Sequence, residues 1–206
     1  QVVAEPPPGG SAALFTFEGT TGRQVPNHLA RGDAHELRIL GTSKIDREAA
    51  NAGRGRQSLA VASQFRPLNT AELTGTANLG ARFTLAILAR SADDRAARLF
   101  SAYNGNRPVN TSELVFDYDP SGRTLRGLRL IAKGIAVESA PVTLTGGGYR
   151  HLAVTYDDGH VRFYVDGRPA GEAWLPGGAP VNLARNLLVG EDAELGSDEQ
   201  FNGNVD

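Results

Sequence analysis

Apolar and polar residues alternate in short runs along most of this chain. In "HLAVTYDDGHVRFYVDGRP" (residues 151–169), Leu152, Val154 and Tyr156 share one face of a period-two pattern. Val161, Phe163 and Val165 share one face of the next run. Asp158-Gly159 separates the two runs, and Asp166-Gly167 follows the second. Asp-Gly between alternating strands predicts type I′ hairpins, because both central residues of that turn need positive φ. Asp157, Asp158 and Asp166 therefore read as turn formers, since an Asp side chain caps turn backbone. They do not read as one metal or catalytic cluster. A strand between the turns would hold them ~20 Å apart at ~3.3 Å per residue.

Similar runs occur at 13–19, with Ala13, Phe15 and Phe17 on one face, and at 35–41, with Leu37 and Ile39 on one face. Others lie at 57–63, 97–103, 112–119, 126–134 and 186–192. "RFTLAILAR" (82–90) is nearly all apolar and predicts a central strand covered on both faces. "DPSG" (119–122) has the composition of a type I turn. Residues 46–57 hold at most one turn of helix before their glycines. About a dozen short strands with regular turn signals predict an all-β sandwich or barrel.

The organisation expected is a linker followed by one domain. "QVVAEPPPGG" (1–10) combines a proline run, which favours extended geometry, with two flexible glycines. Residues 11–206 form the domain. The chain carries no methionine, so we expect it to begin downstream of a signal peptide or another domain. "FNGNVD" (201–206) stops mid-strand, so a further C-terminal strand is expected beyond it.

Charge and composition remove some functions. The 21 basic residues are scattered among 23 acidic ones, net -2, which is unlike a nucleic-acid-binding face. Without cysteine there is no disulfide framework, Cys-zinc site or thiol nucleophile. No apolar run approaches the ~20 residues that span a bilayer, so membrane insertion is not expected.

The last third, "YRHLAVTYDDGHVRFYVDG" (149–167), "LLVGED" (187–192) and "FNGNVD" (201–206), resembles the laminin-G-like domains of the concanavalin A-like lectin/glucanase superfamily. "ALFTFEG" and "FTLAILAR" match that family's opening and core strands more loosely. Tyr149 stands where the family usually has Trp before the His strand. The resemblance implies a two-sheet antiparallel jelly-roll β-sandwich. It also implies a binding, adhesion or interdomain packing role, with calcium bound in some members.

Candidate sites follow in several places. A calcium ion takes six to eight oxygen ligands, and Glu18, Gly19 and Asp206 would supply some if the chain ends lie together. "GEDAELGSDE" (190–199) lacks EF-hand spacing and reads as a solvated acidic loop. Glycosidase chemistry would need paired carboxylates. Glu113, Asp117 and Asp119 share one face by parity, but Glu113 and Asp117 stand ~13 Å apart, beyond the separation of a retaining pair. No Gly-x-Ser-x-Gly elbow accompanies His28, His35, His151 and His160. An enzyme is therefore not expected. Sugar binding needs aromatic platforms beside polar groups. Phe15, Phe17, Phe83, Phe163 and Phe201 read as core, while Tyr103, Tyr118, Tyr164 and Trp174 read as surface rings. Tyr103 opens a polar loop with Asn104 and Arg107, and Trp174 falls in an apparent Pro/Gly loop. Tyr103, Asn104, Arg107 and Trp174 are the ligand-binding candidates. The function expected is a non-catalytic carbohydrate-binding or adhesion module of a larger exported bacterial protein, at the cell surface, in the periplasm or outside the cell. Its partner would be a glycan or polysaccharide. The alternative is a structural module packing on a catalytic domain of its own chain.

Overall fold

Period-two alternation becomes strand wherever one face of it can be buried. The computed structural model describes residues 17, 20, 22–25, 37–41, 43–46, 57–61, 71–73, 77–93, 97–103, 112–118, 127–132, 135–142, 148–175, 181–183, 187–190 and 201–206. Residues 1–10, the expected linker, and most of the opening run 13–19 lie outside them. In chain order the strands are β1 (Gln24–Val25), β2 (Leu37–Ile39), β3 (Lys44–Asp46), β4 (Ser58–Val61), β5 (Ala71–Leu73), β6 (Ala77–Gly80), β7 (Arg82–Ser91), β8 (Ala97–Tyr103), β9 (Ser112–Tyr118), β10 (Gly127–Ala132), β11 (Ile135–Pro141), β12 (Arg150–Asp157), β13 (His160–Val165), β14 (Arg168–Trp174), β15 (Val181–Leu183), β16 (Leu188–Val189) and β17 (Gly203–Val205). No helix occurs among the described residues.

An eight-stranded sheet runs β1-β2-β5-β16-β8-β9-β10-β11, and a seven-stranded sheet runs β14-β13-β12-β7-β17-β4-β3. β6 and β15 form a small separate pair. Neighbouring strands pair antiparallel, as in β7 with β12 and β8 with β9. The core draws on both large sheets: Leu99, Phe116 and Leu130 from one, Leu59, Leu152, Val154 and Phe163 from the other. This is the antiparallel β-sandwich that the alternation and the resemblance imply.

Two expectations need correction. β7 is central, but it is not covered on both faces. Leu85, Ile87 and Ala89 are buried, whereas Thr84 and Ala86 are exposed. Its small outward residues leave that face at the surface, as an antiparallel sheet permits. Tyr118 is not a surface ring: it is fully buried among the core apolar residues.

The motif "FNGNVD" is architectural. Phe201 and Val205 enter the core. The Asn202 amide donates to Asp93 Oδ2 at 2.8 Å. Asn204 accepts from Arg90 Nη2 at 2.8 Å and donates to Ser58 Oγ at 3.2 Å. These bonds fix β17 between β7 and β4.

Candidate ligand-binding face

Both Asp-Gly turns have the expected geometry. Asp158 and Gly159 have φ of 48° and 99°, and Asp166 and Gly167 have 52° and 75°. Each joins strands across two residues, pairing Asp157 with His160 and Val165 with Arg168. Asp157 also pairs with Arg82 at 2.8 Å, and Asp166 with Arg150 at 2.6 Å. The two turns stand at opposite ends of β13.

β13 sends Val161 and Phe163 into the core, so His160, Arg162 and Tyr164 face outward. On β14 a regular continuation from Val165↔Arg168 would align Trp174 with the inward set. A bulge prevents this. The register steps by one residue between Phe163 and Tyr164, so that Phe163 faces Gly171 and His160 faces Trp174. Such a bulge re-aims every side chain beyond it. Gly171, at φ 137°, also allows β14 to approach β11, for a Cβ there would lie 3.0 Å from the Ala140 nitrogen. Trp174 and Glu172 therefore point outward.

Trp174 is 65% exposed, an unusual state for the largest apolar side chain. Its position is nevertheless defined. Leu175 N–H donates to the Gly159 carbonyl at 2.7 Å. A Cβ on Gly159 would stand 3.3 Å from the indole Cζ2, so the ring lies over that glycine. The His160 ring is beside it, with centroids 6.0 Å apart and planes tilted by 38°. Glu172 completes the corner: its Oε2 is 3.2 Å from His160 Nε2 and 3.8 Å from Arg162 Nε. Beneath the turn, Tyr156 stacks on Phe83 at 5.0 Å. Burial, and then the nearby Asp158 charge, raise the Tyr156 phenol above its ordinary value, while a hydrogen bond with the Gly159 backbone opposes them.

This corner presents one apolar ring face beside a carboxylate, an imidazole and a guanidinium. A sugar places C–H bonds on one face and hydroxyls at its edge. The indole suits the first, and the donors and acceptors of Glu172, His160 and Arg162 suit the second.

The other sequence candidates do not join it. Trp174 ends a strand and is not in a loop. Tyr103 ends β8, in the eight-stranded sheet, and Asn104 and Arg107 lie outside the described residues. Glu18 and Gly19 also lie outside them, as do Asp119 and the acidic stretch 191–199. Asp206 follows β17, where its N–H donates to the Leu88 carbonyl at 2.7 Å and its own carbonyl accepts from Leu88 N–H at 2.9 Å. No cluster of three or more His, Asp or Glu that could hold a metal occurs among the described residues. Asp117, a candidate carboxylate by parity, is buried between Arg98 and Arg129. His160, Arg162 and Glu172 were absent from the sequence candidates. The two Asp-Gly turns placed them near Trp174, but the bulge that aligns them has no sequence signal beyond Gly171.

Two large antiparallel sheets over a shared core make this a jelly-roll sandwich. The family model described as "Concanavalin A-like lectin/glucanases superfamily", of laminin G type, matches residues 68–206, about two thirds of the chain. The chain belongs to that superfamily. No curated protein matches it in sequence. Several solved structures share its fold. A heptameric SAP-like pentraxin from Limulus polyphemus superposes with TM-score 0.60 at 15% identity, covering 71% of this chain and 70% of that one. Domain 4 of AbnA, an extracellular arabinanase from Geobacillus stearothermophilus solved with arabinotriose, gives 0.60 at 13% identity, covering 87% and 82%. The ligand-binding domain of botulinum neurotoxin serotype D, solved with N-acetylneuraminic acid, gives 0.55 at 10%, covering 88% and 44%. The fold is thus shared with carbohydrate-binding domains. It also matches part of an enzyme, Trypanosoma rangeli sialidase, of which this chain spans 29%.

Proposed function

We propose that this chain is a non-catalytic carbohydrate-binding module whose primary platform is Trp174. The observation that carries this reading is an indole 65% exposed yet seated on Gly159 and flanked by polar side chains. A ring ordered before the ligand arrives loses little freedom on binding. Sugar complexes of AbnA domain 4 and the neurotoxin domain, on the same fold, support a glycan as partner. The burial of Asp117 between two arginines argues against its use as a catalytic carboxylate. Within this reading residues 1–10 are a linker and 11–206 one module of an exported bacterial protein. Calcium at Glu18, Gly19 and Asp206 would be an accessory site. Tyr103, Asn104 and Arg107 would belong to a second contact region.

The test is binding to a broad glycan array, with calcium and then with chelator, for the native chain and Trp174→Ala. Retained binding in chelator, lost in Trp174→Ala with unchanged thermal unfolding, is the expected result. Loss in chelator alone would move the site to the calcium candidates. If a folded sample binds no glycan, the lectin reading fails. The same exposed ring would then be the contact for a neighbouring domain of its own chain.

A further inference from the structure

The outward face of the seven-stranded sheet extends the Trp174 corner along the strands. On β13, Tyr164 points to the same side as His160, four residues away. In register with Tyr164 are Ala153 on β12 and Ala86 on β7. Ala86 is exposed there, Tyr164 is half-buried, and Ala153 between them is covered by its neighbours. Between this row and Trp174 lies the row Arg162, Thr155 and Thr84, whose hydroxyls and guanidinium suit sugar hydroxyls.

The charges nearest the two rings are matched in place, whereas Arg90, farther along β7, donates to Asn204. Arg82 lies 2.8 Å from Asp157, Arg150 lies 2.6 Å from Asp166, and Glu172 stands between His160 and Arg162. A polyanion gains from a face with an excess of one sign, and here Arg82, Arg150 and Arg162 each already face a carboxylate. A neutral chain of hydroxyls would leave the pairs intact.

Resting on the carbohydrate-binding reading, we propose that the ligand is a neutral, linear polysaccharide lying along β12 and β13, with one subsite at Trp174 and another at Tyr164. Four residues of strand put these subsites ~13 Å apart, more than one sugar ring covers. The site therefore recognises the interior of a chain and gains affinity with chain length.

Titration calorimetry on a length series separates this inference from the reading beneath it. The probes are linear arabinan, cellulose and mannan oligosaccharides from disaccharide to hexasaccharide, with polygalacturonate and polysialic acid as acidic counterparts. In the neutral series that binds, the hexasaccharide is expected to bind at least about tenfold tighter than the disaccharide. Tyr164→Ala should remove that gain and leave disaccharide affinity unchanged, whereas Tyr164→Phe should keep it. Trp174→Ala should weaken both lengths. Equal affinity at all lengths, or a Tyr164→Ala hexasaccharide affinity equal to native, overturns the extended track while the Trp174 module stands. Salt-sensitive binding of the acidic polymers alone overturns the neutral assignment. Binding of no probe by the folded chain overturns both.

Discussion

Gly203 shows how much one residue can determine. Its φ is 152°, and a Cβ there would lie 2.1 Å from the Arg90 carbonyl oxygen. Because that obstacle is backbone of the neighbouring strand, no side-chain rotation relieves it. Gly203→Ala is expected to cost roughly 2–4 kcal/mol of stability. Urea unfolding measures this directly, and a loss under about 0.5 kcal/mol would refute the steric account. Asp117 is a second case. Parity grouped it with Glu113 and Asp119 in the sequence, and the neighbours that decide its role are distant in the chain. It accepts from Arg98 and from Arg129 Nη2 at 2.5 Å, with its side chain only 5% exposed. Those partners come from β8 and β10 by cross-strand register, which a local pattern does not contain. Asp117→Asn leaves two guanidinium groups facing each other and should cost about 3–5 kcal/mol. Replacing all three residues with apolar ones of similar volume should recover much of that loss. Equal stability of Asp117→Asn and the native chain would show that the triad contributes nothing.

Among the elements, the β12–β13–β14 meander was the most legible, because its turns are specified by two adjacent residues each. Asp166-Gly167 announced the reversal that begins β14, but neither the extent of that strand nor its facing was legible. The Pro and Gly after Trp174 made that residue look like part of a loop. The bulge that turns it outward arises where β14 meets β11. β11 itself was missed. It buries only Val137 among its seven residues, and an edge strand needs no strict alternation. The lower end of the meander rests on Tyr156, whose phenol ionises above the ordinary 10.0 because burial, then Asp158, disfavour the charge. A raised folded value gives a stabilisation that is complete below pH 10 and lost as pH rises through the folded pKa. Chemical unfolding from about pH 9 to about pH 12 should show a steeper fall for the native chain than for Tyr156→Phe. Parallel curves would remove Tyr156 from the alkaline transition.

At the scale of the whole molecule, the order of strands in the sheets departs from their order in the chain. β17 lies between β7 and β4, and β16 lies between β5 and β8. Alternation identifies strands without naming their partners, so it left sandwich and barrel open. The motif resemblance in the last third selected the sandwich, and its "FNGNVD" residues are the ones that tie the C-terminal segment into the sheet. Removing residues 201–206 would take Phe201 and Val205 out of the core and leave facing edges on β7 and β4. Unpaired edges and exposed apolar surface favour association between chains. The truncated chain is therefore expected to lose its cooperative thermal transition, bind a hydrophobic dye and aggregate. A sharp transition at the native midpoint would mean that β7 and β4 hold the seven-stranded sheet without β17. Because the segment closing that sheet is the last of the seven strands in the chain, it pairs across long sequence separations. Such non-local closure makes folding slow, of order milliseconds to seconds. The core therefore waits on its C-terminal strand, while the Trp174 hairpin is built from neighbours in sequence. Stopped-flow refolding followed by Trp174 fluorescence should accordingly show the indole environment forming before the main phase in circular dichroism. Coincident phases would mean that the hairpin acquires its order only when β17 closes the sheet.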